Sequence, residues 1–124
     1  MRPVVRFRVT AVLALAWSLA GAGGALAAFG AIAFSPQSGA HGYSYGAGTR
    51  AQAERIAMSN CRAHGAGCRL LVYFQNACGA LAVGNGNGYG FAWAASRGQA
   101  EGRAMRECRN QTSSCRIISW SCSG

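Results

Sequence analysis

Short apolar and alternating segments recur along the chain from residue 29 onwards, and they predict strands. Apolar stretches at Phe29–Phe34 and Cys78–Val83 each precede a turn rich in glycine, serine, proline or asparagine. The segments that follow these turns, Gly42–Tyr45 and Gly90–Trp93, alternate aromatic with small residues. Both aromatics of each pair are therefore expected on one side of a strand, and each unit opens with a hairpin.

A helix is predicted after each hairpin, and a capping box marks its start. Thr49 stands three residues before Gln52, and Ser96 stands three before Gln99. In this spacing a hydroxyl and an amide satisfy each other's backbone donors. Small residues then recur every four positions and predict a face that lies close on a sheet. They are Ala53, Ala57 and Cys61 in the first helix and Ala100, Ala104 and Cys108 in the second.

A third strand is predicted after each helix, at Cys68–Phe74 and Cys115–Trp120. The two units align in hydroxyl, charge and cysteine at a constant offset from Thr49 and Ser96 onwards, which indicates an internal repeat. The order within each copy is strand, hairpin, strand, helix, strand. The sequence thus predicts an α+β domain with about six antiparallel or mixed strands and two helices, repeat one spanning 28–76 and repeat two 77–124.

The amino terminus predicts an export signal. An apolar run from Val9 to about Ala20 follows three arginines, and Ala25–Ala27 supplies the small residues that a signal peptidase needs. A retained membrane anchor is the alternative, but Gly21–Gly24 interrupts the run before it is long enough to cross a bilayer. We expect cleavage after Ala27, so that 1–27 is the signal peptide and 28–124 a single secreted or periplasmic domain. The three arginines are Arg2, Arg6 and Arg8.

The net positive charge of the chain indicates which kinds of partner it could attract. The formal charge is +9, and loss of the three arginines of the leader leaves +6. Every cation is an arginine, and the only acids are Glu54, Glu101 and Glu107. Such a surface attracts anionic polymers, lipid head groups and acidic proteins, although charge of this size also serves solubility alone. A specific nucleic-acid site is not expected.

The six cysteines all lie in the predicted mature part, and six cysteines allow fifteen connectivities. If the two copies are equivalent, Cys61 pairs with Cys68 and its counterpart Cys108 with Cys115. Cys78 and Cys122 then remain to pair with each other. Zinc sites favour closer cysteine pairs, and an even count in an exported chain argues against a free catalytic thiol. No metal or cofactor is predicted.

The sequence contains no strong pattern of catalytic residues. His41 and His64 have no counterparts in the other copy, and we interpret both as solvated loop residues. Glu54 and Glu101 occupy equivalent helix positions four residues after Arg50 and Arg97, with which they can form ion pairs. This equivalence explains them better than a catalytic carboxylate pair does. The glycines of Gly84–Gly88 predict a hairpin turn, because no lysine follows them as in a phosphate-binding loop. The chain is therefore predicted not to be an enzyme.

One cationic stripe is the candidate binding surface. Arg103, Arg106 and Arg109 are spaced three apart late in the second helix, where the first copy has Ile56, Ser59 and Arg62. Arginines near the carboxyl end of a helix also complement its dipole, which is the simpler interpretation.

Several segments together resemble the exported bacterial family called domain of unknown function DUF4189. They are Phe29–Ala33, Gly42–Gly46, Thr49–Glu54 and Asn76–Ala82, and the resemblance covers nearly all of 29–122. It implies a small secreted, disulfide-bonded domain, some relatives of which are exported by pathogens and suspected of acting on host cells. It implies no catalytic residues.

These observations favour a non-enzymatic interaction module that binds a protein or an anionic envelope or host component. One alternative is an inhibitor of an envelope hydrolase that presents the loop 63–67 or 110–114 to a cleft. Another is a small secreted enzyme that uses His41 or a glutamate.

Overall fold

The computed structural model describes residues 28–123, which form two units with the same order of elements. Its six strands and two helices confirm the predicted α+β class, while the predicted leader and its cleavage site lie outside the described residues. The first unit consists of β1 (Phe29–Phe34), β2 (His41–Ala47), α1 (Arg50–Arg62) and β3 (Arg69–Gln75). The second consists of β4 (Cys78–Val83), β5 (Tyr89–Ala94), α2 (Arg97–Gln111) and β6 (Arg116–Cys122).

Each unit forms its own three-stranded antiparallel sheet. The strand orders are β2-β1-β3 and β5-β4-β6, so the apolar first strand of each unit lies in the centre. The central strands are buried almost throughout, whereas β2 and β5 alternate buried with exposed positions. This difference accounts for the continuous apolar runs of the central strands and the alternation of aromatic and small residues beside them.

The two sheets pack face to face between the helices, in the order α1, first sheet, second sheet, α2. Ala31 and Ala33 of β1 pack on α1, whereas Ile32 and Phe34 point to the other sheet. The alanines of β4 likewise pack on α2, and Leu81 joins the layer between the sheets. Small residues thus line both helix–sheet boundaries, and most of the large apolar side chains fill the sheet–sheet boundary.

The helices lie very close to the second strand of each unit. A β-carbon on Gly42 would lie 2.3 Å from the carbonyl oxygen of Ala57, and one on Gly90 would lie 2.2 Å from the backbone nitrogen of Cys108. No side chain fits there without moving the helix. The predicted buried faces of alanine and cysteine are confirmed, since all six of these residues are buried against the sheets.

Each helix begins after its predicted N-cap residue. The Thr49 hydroxyl accepts a hydrogen bond from the Gln52 N–H at 3.1 Å, and the Ser96 hydroxyl accepts one from the Gln99 N–H at 3.3 Å. The return half of the first capping box differs from the prediction. The Gln52 amide oxygen accepts from the N–H of Gly48, one residue before the cap, at 3.2 Å.

Two predicted boundaries need correction. His41 is the first residue of β2 and not part of the preceding loop, because it pairs with Phe34 across the hairpin. The third strand of each unit begins one residue after its cysteine, at Arg69 and Arg116, which pair with the ends of the central strands. The segment Gly84–Gly88 is a hairpin turn as predicted, and its Gly86 has a φ of +64°.

The three disulfides join the pairs that the repeat predicts. Cys61–Cys68 and Cys108–Cys115 each connect a helix to the start of the following strand. Cys78–Cys122 connects facing residues of β4 and β6 and closes the longest loop, with a sequence separation of 44. Every cysteine in residues 28–123 is therefore bonded.

A single aromatic ring occupies the centre of the sheet–sheet boundary. Phe74 is 2% exposed, and its ring occupies the space that β-carbons on Gly30 and Gly79 would enter, at 2.3 and 2.4 Å. The corresponding position of the second unit is Ser121, which donates a hydrogen bond to the Ser44 carbonyl at 2.8 Å. One large and one small residue thus share the space between the two central strands.

We expect Gly79→Ala to lower the free energy of unfolding by about 1–3 kcal/mol, because the new methyl group overpacks the site of the Phe74 ring. Gly102→Ala is the matched control, since its β-carbon meets nothing within 4 Å in the middle of α2. It should raise the free energy of unfolding by about 1 kcal/mol through helix propensity. Urea unfolding measures both, and equal effects of the two substitutions would contradict the packing described.

Replacing both cysteines of the Cys78–Cys122 bridge with alanine should cost about 4 kcal/mol of stability, against about 2.5 kcal/mol for the Cys61–Cys68 bridge. The loop-entropy term grows with the length of the closed loop, and the two sequence separations are 44 and 7. Guanidinium unfolding without reductant measures the difference. A larger loss from the short loop would show that loop length does not set the order.

Candidate binding surface

The face-to-face packing of the sheets creates two borders at which outer strands meet. β2 lies beside β6, and β3 lies beside β5, so the borders are related by an approximate twofold axis. Exposed aromatic side chains are concentrated on these four strands. They are Tyr43, Tyr45 and Trp120 at the first border and Tyr73, Phe91 and Trp93 at the second.

The alternation along β2 and β5 determines where the aromatics lie. In both strands the glycine, serine and alanine positions face the helix, and the close approach of the helix leaves no room for a larger residue there. The aromatic positions face away from the helix. The predicted sharing of one side by Tyr43 and Tyr45 is confirmed, with ring centroids 6.5 Å apart and planes 20° apart. Tyr45 and Trp93 are the most exposed of these rings, at 67% and 57%.

A groove of about 390 Å³ lies between β5 and α2, next to Val72 of β3, and we call it the arginine edge. Arg103 and Arg106 reach it from α2, and the Arg103 guanidinium donates a hydrogen bond to the Trp93 carbonyl at 3.3 Å. The groove is lined by Val72, Phe91, Ala92, Trp93, Arg103, Arg106 and Glu107.

The structure brings together only part of the predicted arginine stripe. Arg103 and Arg106 lie in one groove with Phe91 and Trp93, whereas Arg109 is exposed in the last turn of α2 and is not among the residues lining that groove. A spacing of three rotates each successive residue around the helix, so the third arginine moves away from the strand. The aromatic partners were missed because they belong to another element, although their alternation already placed them on one face.

The border between β2 and β6 carries a groove of about 440 Å³, which we call the tyrosine edge. Its Tyr43 and Tyr45 correspond by the repeat to Phe91 and Trp93 of the arginine edge. The other residues of the tyrosine edge belong to β6, whereas most of the others in the arginine edge belong to α2. No charged residue lines it. Its lining is Tyr43, Tyr45, Ile118, Ser119, Trp120, Ser121 and Cys122.

Two stacked guanidinium groups link the helices to the third strands. Arg50 lies 3.7 Å above the ring of Tyr73, and Arg97 lies 3.6 Å above the ring of Trp120. The predicted ion pairs Arg50–Glu54 and Arg97–Glu101 are confirmed, the second at 2.6 Å. The hydrogen bond that the Arg50 guanidinium donates to Glu54 raises the pKa of Arg50 above its ordinary value, against a smaller opposing effect of desolvation.

These stacks account for the two equivalent glutamates. Each holds an arginine over an aromatic ring, and each pair repeats the other at the same place in its unit. A cation over an aromatic face is attracted by the ring quadrupole, and the carboxylate fixes the position of the guanidinium.

The two histidines line one depression, which the sequence did not predict. His41 at the start of β2 and His64 after α1 border a space of about 560 Å³ together with Tyr43, Tyr45 and Asn60. The Asn60 amide donates to the Tyr43 carbonyl at 3.1 Å and so fixes that helix face against the strand. Within the described residues, no three histidine, cysteine or acidic side chains are grouped as metal ligands.

Both loops considered for an inhibitor are tied to neighbouring turns. The carbonyl of Ala66 accepts hydrogen bonds from the hydroxyls of Ser35 and Ser38, at 2.6 and 2.8 Å. The backbone N–H of Asn85 donates to the Ser113 carbonyl at 2.9 Å. The segments 63–67 and 110–114 are therefore held at the hairpins of their own units.

Comparison with known proteins agrees with this architecture. The family model described as domain of unknown function DUF4189 matches residues 29–122. The NMR structure of Rv1813c from Mycobacterium tuberculosis is similar to this chain, with a TM-score of 0.59 and 31% sequence identity over 78% of this chain and 76% of that one. No curated protein matches significantly. Neither helix of residues 28–123 is long and apolar enough to cross a bilayer. The resemblance seen in the sequence is confirmed, and the chain belongs to the DUF4189 family.

Proposed function

We propose that this protein is an exported, non-enzymatic interaction module that binds an anionic partner through the arginine edge. The partner is an acidic protein surface or an anionic polymer of the envelope or the host. The observation that carries this proposal is the placement of Arg103 and Arg106 in one groove with Phe91 and Trp93.

The groove combines the residue types that dominate protein interfaces. Tryptophan and arginine are enriched among the side chains that contribute most to binding, and a guanidinium can bond both oxygens of a carboxylate at once. Trp93 supplies a large exposed ring beside these cations. The charge of +6 on the predicted mature chain adds long-range attraction for a negative partner.

The fold limits how much ordering such binding requires. Arg103 is hydrogen-bonded to the strand that carries Trp93, and a disulfide joins α2 to the start of β6. A surface that is already ordered loses less conformational entropy when a partner docks. The disulfides also suit an oxidising compartment, which agrees with export through the predicted leader.

A small secreted enzyme is the second candidate, and the shared depression of His41 and His64 favours it. Within residues 28–123, neither histidine forms an ion pair with a glutamate, and Glu54 and Glu101 are paired with arginines instead. Such a depression provides a base without the carboxylate that orients a histidine in hydrolases. The interaction module is therefore the better supported function.

The first test compares two double variants of the oxidised exported protein with equal loss of charge. Arg103→Gln with Arg106→Gln should weaken binding to poly-L-glutamate roughly tenfold, because two charge contacts are lost at the groove. Arg55→Gln with Arg62→Gln is the control, since both arginines are exposed on α1. Its effect should be much smaller, and wild-type binding should weaken as salt increases. Equal weakening by both variants, or affinity independent of salt, would contradict the proposal.

The second test addresses catalysis. The wild-type protein and His41→Ala should leave identical product profiles after incubation with envelope extract, because the proposed function involves no turnover. Mass spectrometry of the soluble products measures this. A product formed by the wild type and lost in His41→Ala would favour the enzyme, whereas capture of a hydrolase that depends on the loop 63–67 or 110–114 would favour the inhibitor.

A further inference from the structure

The tyrosine edge contains a buried hydroxyl with no partner. Ser119 is 5% exposed and lines the groove, and its Oγ is the one buried side-chain oxygen or nitrogen in residues 28–123 that makes no hydrogen bond. Buried polar groups are nearly always hydrogen-bonded, so an exception requires an explanation. The corresponding residue of the first unit is Val72, which shows that an apolar side chain is compatible with this position of the fold.

Other hydroxyls of the groove differ from Ser119 in this respect. Ser121 donates its hydrogen bond to the Ser44 carbonyl across the two sheets. Tyr43 and Tyr45 are exposed, so that their hydroxyls are open to solvent or to a ligand. Ser119 therefore offers a buried donor and acceptor beside two exposed phenols.

The aromatic rings of the groove present broad faces. The rings of Tyr43 and Tyr45 are nearly parallel and follow one another along β2. Trp120 stands on the neighbouring strand, with Arg97 covering one of its faces at 3.6 Å. Aromatic faces carry negative charge density and attract groups with positively polarised C–H bonds.

We propose that the tyrosine edge is a binding site for a neutral oligosaccharide. A pyranose ring has C–H bonds on its faces and hydroxyls around its rim, so it can pack on Tyr43 and Tyr45. Rotation of the Ser119 side chain, whose Oγ is covered in this structure, then brings that hydroxyl to one hydroxyl of the sugar. An apolar ligand leaves Ser119 unsatisfied. An anionic ligand finds no cation among the residues lining this groove, and the neighbouring Arg97, which covers Trp120, is already paired with Glu101. The arginine edge, by contrast, provides two arginines, so the two borders differ in the ligands they suit.

The site is separate from the proposed anionic surface. The arginine edge lies between β5 and α2, next to Val72 of β3, and the tyrosine edge lies between β2 and β6. The lining residues of the two grooves do not overlap. Loss of binding at one border therefore does not entail loss at the other.

The experiment is an NMR titration of the oxidised exported protein with three neutral probes, maltohexaose, cellohexaose and N-acetylchitohexaose. We expect at least one probe to shift the Trp120 indole N–H and the Ser119 amide signals, with no shift at the Trp93 indole. Poly-L-glutamate serves as the anionic comparison and should leave the Trp120 signal unchanged.

Two variants and one control make the test specific. Ser119→Val should weaken the responding probe about threefold to tenfold while raising the melting temperature, because it removes both the hydrogen bond to the sugar and the unpaired buried hydroxyl. Tyr45→Ala should also weaken binding, and as an exposed position it leaves the core intact. Trp93→Ala removes the corresponding ring of the arginine edge and should leave the affinity for the neutral probe unchanged.

Opposite results would overturn the proposal. These are no shift with any of the three probes at millimolar concentration, unchanged affinity in both Ser119→Val and Tyr45→Ala, or an equal loss in Trp93→Ala. Displacement of the probe by poly-L-glutamate would show that the groove prefers anions. Shifts at the tyrosine edge that an unrelated neutral peptide reproduces would show that it does not select sugars.

Discussion

The fold depends on one shared contact, the Phe74 ring between the two central strands. Gly30 and Gly79 lack side chains where this ring lies, one in each sheet, so the same residue closes the core of both units. Only one such ring fits, and the corresponding position carries Ser121, which hydrogen-bonds across the sheets instead. The two units therefore cannot remain identical at their boundary. Two units of the same architecture that pack face to face must differ where they meet, because corresponding side chains compete for one volume there.

The same reasoning extends outward from the axis to the borders. Val72 and Ser119 occupy corresponding positions next to the central strands, one apolar and one polar. At the borders Phe91 and Trp93 correspond to Tyr43 and Tyr45, and arginines of α2 correspond to Ile56 and Ser59 of α1. Each substitution changes the chemistry of an edge without changing the strand pairing beneath it. The corresponding edges of the two units thus differ in chemistry, and Arg103 and Arg106 make the edge beside Phe91 and Trp93 cationic.

The elements and disulfides of this protein follow from local sequence, whereas its grooves do not. Alternation along Gly42–Tyr45, hydroxyls before the helices and the constant offset of the cysteines each depend on residues close in the chain or on the repeat. The division into two sheets depends on which strands meet face to face, and a strand pattern does not contain that information. Ser119 illustrates the difference. Its sequence neighbours Ile118 and Trp120 indicate only that this segment forms a strand. Its missing partner becomes visible only when β2 and β6 are placed together.

Arg109 shows that a sequence pattern can predict part of a candidate site and still include a residue that lies outside it. Its spacing from Arg103 and Arg106 suggested a continuous stripe, yet only the first two lie in the groove, because a helix edge meets a strand over a limited length. The hydrogen bond of Arg103 to the Trp93 carbonyl marks where that contact occurs. Charge therefore acts at two ranges in this protein. Arg109 and the other exposed arginines contribute to the general positive field, while Arg103 and Arg106 lie beside Phe91 and Trp93 in the groove to which the proposed function assigns binding.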